Sequence, residues 1–251
     1  MKKTQKQYHI NLEKGDVGEY VILPGDPGRC EIIAGFLDKP EFVAQNREYT
    51  TWNGYLNGVK VSVVSTGIGG PSAAIALEEL VKCGAHTFIR VGTCGGIDTK
   101  VIGGDIIIAT AAVRGDGTSK EYLVPDYPAV ADFEITYALK RAAEECGLSH
   151  HIGVVQSKDS FYGEVAPETM PVAGQLKERW NCFVNAGCLG SEMEAATLFC
   201  VGLTRKVRVG AVLTAIWSIE RPKRGLSNPE YLSSDRAIKC AVEALKILIK
   251  K

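Results

Sequence analysis

Four junctions along the chain set glycine beside a group that can hold an anion or a polar ligand. The first is PGDPGR, Pro24–Arg29, where a strand ends and Arg29 falls near the start of a helix. Helix N-termini carry unpaired N–H groups and the positive end of the helix dipole, so an added guanidinium suits phosphate there. An ordinary Pro-Gly turn with a surface arginine is the plainer alternative. The second is STGIGGPS, Ser65–Ser72, with glycines 67, 69 and 70 ahead of Pro71. Ser72 stands where a dinucleotide fingerprint needs glycine, and no GKS or GKT follows, so neither the Rossmann nor the P-loop motif is met. A backbone nest for an anion and a tight, closely packed turn both fit. The third is IRVGTCGG, Ile89–Gly96. Arg90 interrupts an apolar strand, and a buried arginine needs an anionic partner, either a ligand or a structural carboxylate. Thr93 adds a hydroxyl donor at the strand end. Cys94 has no evident histidine or helix N-terminus to activate it and reads as a small core thiol rather than a nucleophile. The fourth is GSEMEAA, Gly190–Ala196, where Glu192 and Glu194 flank Met193. In an extended segment both carboxylates face one site. At a helix start they would only favour the dipole.

Short β-rich runs alternating with helical ones must position these junctions. Tyr20–Leu23 reads as a strand and Cys30–Leu37 as an amphipathic stretch. Glu48–Tyr55 and Val59–Thr66 read as strands joined at Leu56-Asn57-Gly58, a hairpin signal. Pro71–Lys82 reads as a helix with proline at its first position, and Thr87–Val91 and Asp105–Val113 as buried strands. Helix Ala131–Cys146, strand Ile152–Gln156, helix Met193–Gly202, strand Val207–Trp217 and helix Ser234–Ile249 complete the pattern, with 115–130 as a long loop. The order favours an α/β protein with a mostly parallel or mixed sheet, whose ligands bind beyond the carboxyl ends of the strands.

The 251 residues fit one domain, and 45% hydrophobic with 23% charged residues is ordinary globular composition. Net formal charge is zero, which gives no support to nucleic-acid or membrane-surface binding. No apolar run approaches the ~20 residues that span a bilayer. The start MKKTQKQYHINLEKGD has no apolar core, so no secretion signal is expected. The eight cysteines form no CxxC pair and read as reduced thiols of a cytoplasmic protein. The histidines at 9, 86, 150 and 151 lack metal-binding spacing.

Taken in order, PGDPGR, NREYTTW, STGIGGPS, IRVGTCGG, AVADFE and SEMEAATL resemble the nucleoside phosphorylases of the uridine phosphorylase type, from about His9 to the final helix. The resemblance implies a three-layer α/β/α sandwich with a mixed central sheet, a single phosphorylase domain over 1–251, and a hexamer built as a trimer of dimers with shared sites. It implies phosphorolysis of a nucleoside to ribose 1-phosphate and free base. Inorganic phosphate would be the co-substrate, and no cofactor would be required. By position, Gly25, Arg29, Arg90 and Thr93 would hold phosphate, with Arg47 reaching in from the neighbouring subunit. The neighbour's copy of His9 would bind the ribose 5′-hydroxyl. Met193 and Glu194 would bind ribose, and Phe161 would lie against the base. Cys94, Glu164, Thr169, Glu192, Trp217 and Arg221 complete the nucleoside-binding set. Glu48, Ile68 and Ser72 match positions that hold a monovalent cation, K+ or Na+, in some relatives.

The bottom-up chemistry agrees. Cleaving a glycosidic bond leaves cationic character on the ribose while phosphate attacks the opposite face. Arginines can position the dianion, and Glu194 can fix the diol beside the developing charge. A nucleoside hydrolase, a non-catalytic binding protein and a cysteine hydrolase using Cys94 are the rival classes. The chain departs from the family pattern in KDSFYGEVAPETMP, Lys158–Pro171. Relatives with this loop form carry glutamine and arginine where Glu164 and Thr169 stand here, and the later Gly-Asn-Gln-Glu-Arg becomes Trp217–Arg221. A carboxylate only accepts hydrogen bonds, so it would face at least one uracil oxygen unfavourably and would suit a purine with N1–H. Uridine is the leading expectation and a purine nucleoside the alternative, with Arg221 available to fold in for the lost arginine.

Overall fold

A computed structural model describes residues 6–250. Ten strands alternate with helices in one mixed sheet. The first half runs β1 (Tyr20–Pro24), α1 (Gly28–Ala34), β2 (Asp38–Asn46), β3 (Tyr49–Leu56), β4 (Val59–Val64), α2 (Gly70–Cys83) and β5 (Thr87–Gly96). Then come β6 (Ile106–Gly115), α3 (Thr118–Tyr122), β7 (Ala129–Val130), α4 (Phe133–Glu145) and β8 (His150–Lys158). The chain finishes with α5 (Phe161–Val165), a 3-10 turn at Pro167–Thr169, α6 (Ala173–Asn185), β9 (Gly190–Glu192), α7 (Ala195–Arg205), β10 (Arg208–Ser218), α8 (Glu220–Lys223) and α9 (Asp235–Ile249).

Local chemistry accounts for many boundaries. The β3–β4 hairpin turns on Asn57 and Gly58, both at positive φ, as a two-residue loop requires. Pro71 sits in the first turn of α2, and Gly84 in left-handed conformation ends it. Asp132 Oδ1 accepts from Ile135 N at 2.9 Å and caps α4, and Ser160 Oγ accepts from Gly163 N at 3.0 Å and caps α5. The long 115–130 excursion is not bare loop. It holds α3 and β7, organised by the Arg114 guanidinium, which donates to the carbonyls of Ser119, Leu123 and Tyr127 at 2.6–2.7 Å.

The sheet is parallel at its centre, where β1 pairs with β4 and β5, and β5 with β10. β10 then pairs antiparallel with β6, β6 parallel with β8, and β8 parallel with β9. β9 returns antiparallel to β5 through Gly95–Ser191. The path β5-β10-β6-β8-β9 therefore closes on itself into a ring, while β4, β3 and β2 extend it as an open wing. Helices cover both sides, as the α/β/α expectation requires. One core gathers α2 and α7 with Ile10 and Leu12, and the other gathers α1, α4 and α9. Strand alternation divides β5 between them: Phe88 joins the first core, while Ile89 and Val91 join the second. Arg90 therefore shares the face that looks toward α7. Leu80 is fully buried in the first core, and Leu80→Ala would cost about 2–5 kcal/mol by leaving a cavity. Helix α6 joins neither core and has no buried residue.

Candidate active site

The carboxyl ends of β1, β4, β5, β8, β9 and β10 converge on a cavity of about 740 Å³. Gly25, Arg29, Arg90, Thr93 and Cys94 line it, as do Phe161, Glu164, Glu192, Met193, Glu194 and Trp217, with Glu48 and Ile68 at one side. These are expected site residues drawn from every quarter of the sequence.

The carboxylate reading of Arg90 is met. It is 4% exposed, and its Nε donates to Glu192 Oε2 at 2.9 Å while its Nη2 bonds Glu194 Oε2. The third nitrogen, Nη1, is buried with no hydrogen-bond partner among the described residues. A buried guanidinium with one donor unanswered, beside a cavity, is poised for an anion. Gly92 makes this arrangement fit, because a Cβ there would lie 2.9 Å from Arg90 Nη2. Burial lowers the Arg29 pKa from its ordinary value; Asp26 opposes that shift, and the nearby Arg90 charge adds to it. Two mutually repelling arginines and the Thr93 hydroxyl thus face one space.

The two glutamates differ in role. Helix α7 begins at Ala195, later than the Met193 expected from sequence, because Gly190–Glu192 forms a strand. Met193 and Glu194 therefore lie in the connection, at the cavity wall. Glu192 is consumed by protein donors: Arg90 Nε, Ser157 Oγ and the backbone N–H groups of Glu194 and Ala195. It positions Arg90 and the start of α7 while lining the cavity. Glu194 accepts from Gly69 N at 2.6 Å and from Arg90. Burial raises its pKa, against the downward pull of Arg90, and the Glu192 charge raises it further.

Cys94 lines the cavity, but burial pushes its thiol far above the ordinary value, so it stays protonated and is no nucleophile. Trp217 reaches the cavity because β10 bulges between Ala215 and Trp217, which turns Ile216 and Trp217 toward the same space. Phe161 stands half-exposed at the mouth, 52% accessible, with Lys158 Nζ 5.9 Å from its ring centre.

Five expected residues stand apart from the cavity: Thr169, Arg221, His9, Arg47 and Ser72. Thr169 closes its own 3-10 turn, donating to Ala166 O at 2.7 Å. Arg221 does not fold in: it donates to Ser227 O and to Thr99 O and ties loops together beneath β10. His9 binds Glu79 Oε1 through Nδ1 at 2.7 Å, and Arg47 lies exposed over the Tyr8 ring, 5.8 Å from its centre. His9 and Arg47 therefore share a surface patch outside this chain's own cavity, and Arg47 holds a positive φ at the β2–β3 turn. Glu48 and Ser72 meet directly, Ser72 Oγ donating to Glu48 Oε1 at 2.8 Å, with Ile68 exposed beside them.

Sequence reasoning missed Lys158. It is 8% exposed at the end of β8, its Nζ lies 3.0 Å from Glu164 Oε1, and it donates to Ser191 Oγ at 2.6 Å. The signal was a lysine at the end of a strand-like run, directly before the loop that departs from the family pattern.

An α/β/α fold whose strand ends gather two arginines, a threonine and a buried carboxylate in one cleft belongs to the phosphorylase superfamily, whose profile matches residues 19–239 of this chain. The chain is thus an enzyme of that superfamily. It is 51% identical over 246 residues to a uridine phosphorylase of Treponema pallidum (strain Nichols), covering 98% of this chain and 95% of the relative. It is 40% identical over 252 residues to the uridine phosphorylase of Escherichia coli (strain K12), covering 96% and 98%. A guanosine phosphorylase of Halorubrum lacusprofundi is 44% identical over 209 residues, covering 83% and 82%. Among the described residues no helix is long and apolar enough to cross a membrane.

Proposed function

We propose that the chain cleaves uridine with phosphate, giving ribose 1-phosphate and uracil, through one phosphorylase domain acting in the cytoplasm. One observation carries the reading: Arg90, with a donor unanswered, shares a cavity with Arg29, Thr93 and the diol-sized acceptor Glu194. Phosphate binds between Arg29, Arg90, Thr93 and the Gly25 backbone. Glu194 accepts from the ribose hydroxyls, Met193 packs on the sugar and Phe161 on the base. Phosphate oxygen then attacks C1′ as the C1′–N1 bond breaks, the bond pair passes to the base, and the proton of hydrogenphosphate ends on it. Catalysis is positioning plus electrostatic stabilisation, with no covalent enzyme intermediate.

The Lys158–Glu164 pair answers the loss of the loop arginine. Uracil presents an N–H between two carbonyls. Glu164 accepts from the N–H, and Lys158 donates to a flanking oxygen, where charge gathers as the base leaves. The placement of half-buried His9 and exposed Arg47 outside their own cavity supports a hexamer of paired subunits in which each lends these residues to its neighbour. The Glu48 carboxylate, the Ser72 hydroxyl and the Ile68 carbonyl are oxygen donors of the kind a monovalent cation takes, so K+ or Na+ is assigned to that corner. The test is uracil release from uridine with and without phosphate. Strict phosphate dependence is expected. Equal rates without phosphate would instead establish a hydrolase.

A further inference from the structure

Strands β8 and β9 run parallel, with Gln156 directly opposite Ser191. Side chains alternate along β8, so Gln156 and Lys158 share one face and flank the Ser191 hydroxyl. Glu164 reaches the same hydroxyl from α5. Gln156 and Ser191 are buried, and Lys158 and Glu164 form an ion pair beside them. All three neighbours of Ser191 Oγ stand at hydrogen-bond distance. Lys158 Nζ and Glu164 Oε2 lie 2.6 Å away, and Gln156 Oε1 lies 2.5 Å away. A hydroxyl has one hydrogen to give and two lone pairs with which to accept. The Lys158 ammonium only donates, so it takes one lone pair. The Glu164 carboxylate, paired with Lys158 through Oε1 at 3.0 Å, brings no hydrogen and needs the one that Ser191 carries. A Gln156 carbonyl at the same hydroxyl would compete for that hydrogen, and one of the two oxygens would face Ser191 with no hydrogen between them.

Turning the Gln156 amide over closes the count. With Nε2 toward Ser191, the hydroxyl accepts from Lys158 and Gln156 and donates to Glu164, so all three of its hydrogen-bonding positions are used. The other end of the amide favours the same turn. Gln156 Nε2 and Arg179 Nη2 both lie beside Gly115, 3.6 and 3.3 Å from the place a Cβ there would occupy. An amide nitrogen in that corner sets donor against donor, whereas a carbonyl oxygen gives the guanidinium an acceptor. We propose that Ser191 is the positioning residue of the base-reading pair Lys158–Glu164, and that Gln156 holds it in that role by donating through its amide nitrogen. Ser191 lines the catalytic cavity but has nothing left to offer a ligand, so it acts by fixing the pair. The cluster stays open only at Lys158 and Glu164. Lys158 spends two of its three N–H groups, on Ser191 and Glu164, and keeps one. Glu164 keeps a lone pair on each oxygen. The free donor and the free acceptor therefore stand side by side at the cavity wall, held by one buried hydroxyl.

The role rests on the uridine phosphorolysis proposed above, while the hydrogen-bond arrangement does not, and the test reads each separately. Urea unfolding of the ligand-free full chain is compared for Ser191→Ala, Glu164→Ala and the double variant. The two stability losses should not add, because the second substitution removes a bond that the first has already broken. Additive losses would place the Ser191 hydrogen on Gln156 and overturn the inference. Kinetics with uridine and 3-methyluridine give the second reading, since the methylated base lacks the N–H that Glu164 accepts. In Ser191→Ala the kcat/KM preference for uridine over 3-methyluridine should fall about tenfold, the effect of one hydrogen bond, while KM for phosphate stays unchanged. A merely structural serine would lower both nucleosides alike and raise KM for phosphate with them, and that result would overturn the positioning role. Failure of the wild-type chain to cleave uridine with phosphate would sink the proposed reaction instead. Non-additive stability losses would then still uphold the hold of Ser191 on Glu164.

Discussion

Arg90 does two jobs whose energetics pull apart. It neutralises Glu192 and Glu194 in the core, and it holds one donor back for an anion. Arg90→Ala should lower kcat/KM for phosphorolysis by about 10²–10³-fold or more, the usual effect of losing a positioned donor. It should also lower Tm by roughly 10 °C, because two buried carboxylates lose their partner at about 3–5 kcal/mol. Near-normal turnover in a folded Arg90→Ala protein would refute the phosphate assignment. With Glu194 as the ribose acceptor, its titration should set the acid side of the pH profile. Its pKa is raised, chiefly by burial, so activity should fall with pH at a value above the ordinary 4.5 of glutamate. The sign for stability is opposite. An acid that binds its proton more tightly when folded adds stability as pH falls through its raised pKa, so activity is lost while the fold persists. A kcat/KM profile with its acid limb at or below 4.5 would contradict this. Cys94 adds nothing to that limb, and Cys94→Ser should retain activity.

At the scale of elements, α7 and α6 contrast. Ala195–Gly202 of α7 is buried all round, whereas Ala173–Asn185 of α6 has no fully buried residue and packs on α5 and the 3-10 turn, with Trp180 Nε1 donating to Glu220 Oε1 at 2.6 Å. Amides of α6 should therefore exchange with solvent well before those of α7 and β5. Equal protection in all three would show that α6 is held as firmly as the core. The entry to β6 depends on Asp105, which accepts from Ile102 N at 3.1 Å and His151 Nε2 at 2.9 Å. Burial raises this carboxyl, yet hydrogen bonds from Ser149, His151 and Ile102 outweigh it and hold the pKa below 3.8. The stability it contributes is present above 3.8 and is lost as pH falls through the lower folded value. Asp105→Asn should cost about 1–3 kcal/mol at neutral pH and flatten that acid slope in urea titrations.

For the whole molecule, the placement of His9 and Arg47 makes a subunit-level prediction. With the proposed sharing of sites, Arg47→Ala would keep its own cavity but have no arginine to lend, and Glu194→Ala would lend its arginine but have a broken cavity. Each alone should be nearly inactive. Unfolded together and refolded, they should recover roughly a quarter of wild-type activity, since half the two-fold pairs are mixed and each mixed pair has one intact site. No recovery from well-folded mixed assemblies would mean that each chain is complete by itself.

The amino-acid sequence alone determined the alternation of strands and helices, because local periodicity and turn chemistry carry that information. The Asn57-Gly58 hairpin, the Pro71 start of α2 and the apolar β5 were all legible in this way. That the ends of β1 and β5 carry glycine beside arginine was legible too, and both ends line the cavity. Tertiary structure decided which of these residues meet. Glu192 finds Arg90 across 102 positions only because β9 closes the ring against β5, and Trp217 turns inward only through a bulge. It removed Thr169 and Arg221 from the base pocket by giving them backbone partners, and it brought in Lys158, Ser191 and Gln156. Hydrogen-bond partners of a loop carboxylate such as Glu164 are set by how α5 docks on β8 and β9, and no periodicity within KDSFYGEVAPETMP encodes that docking.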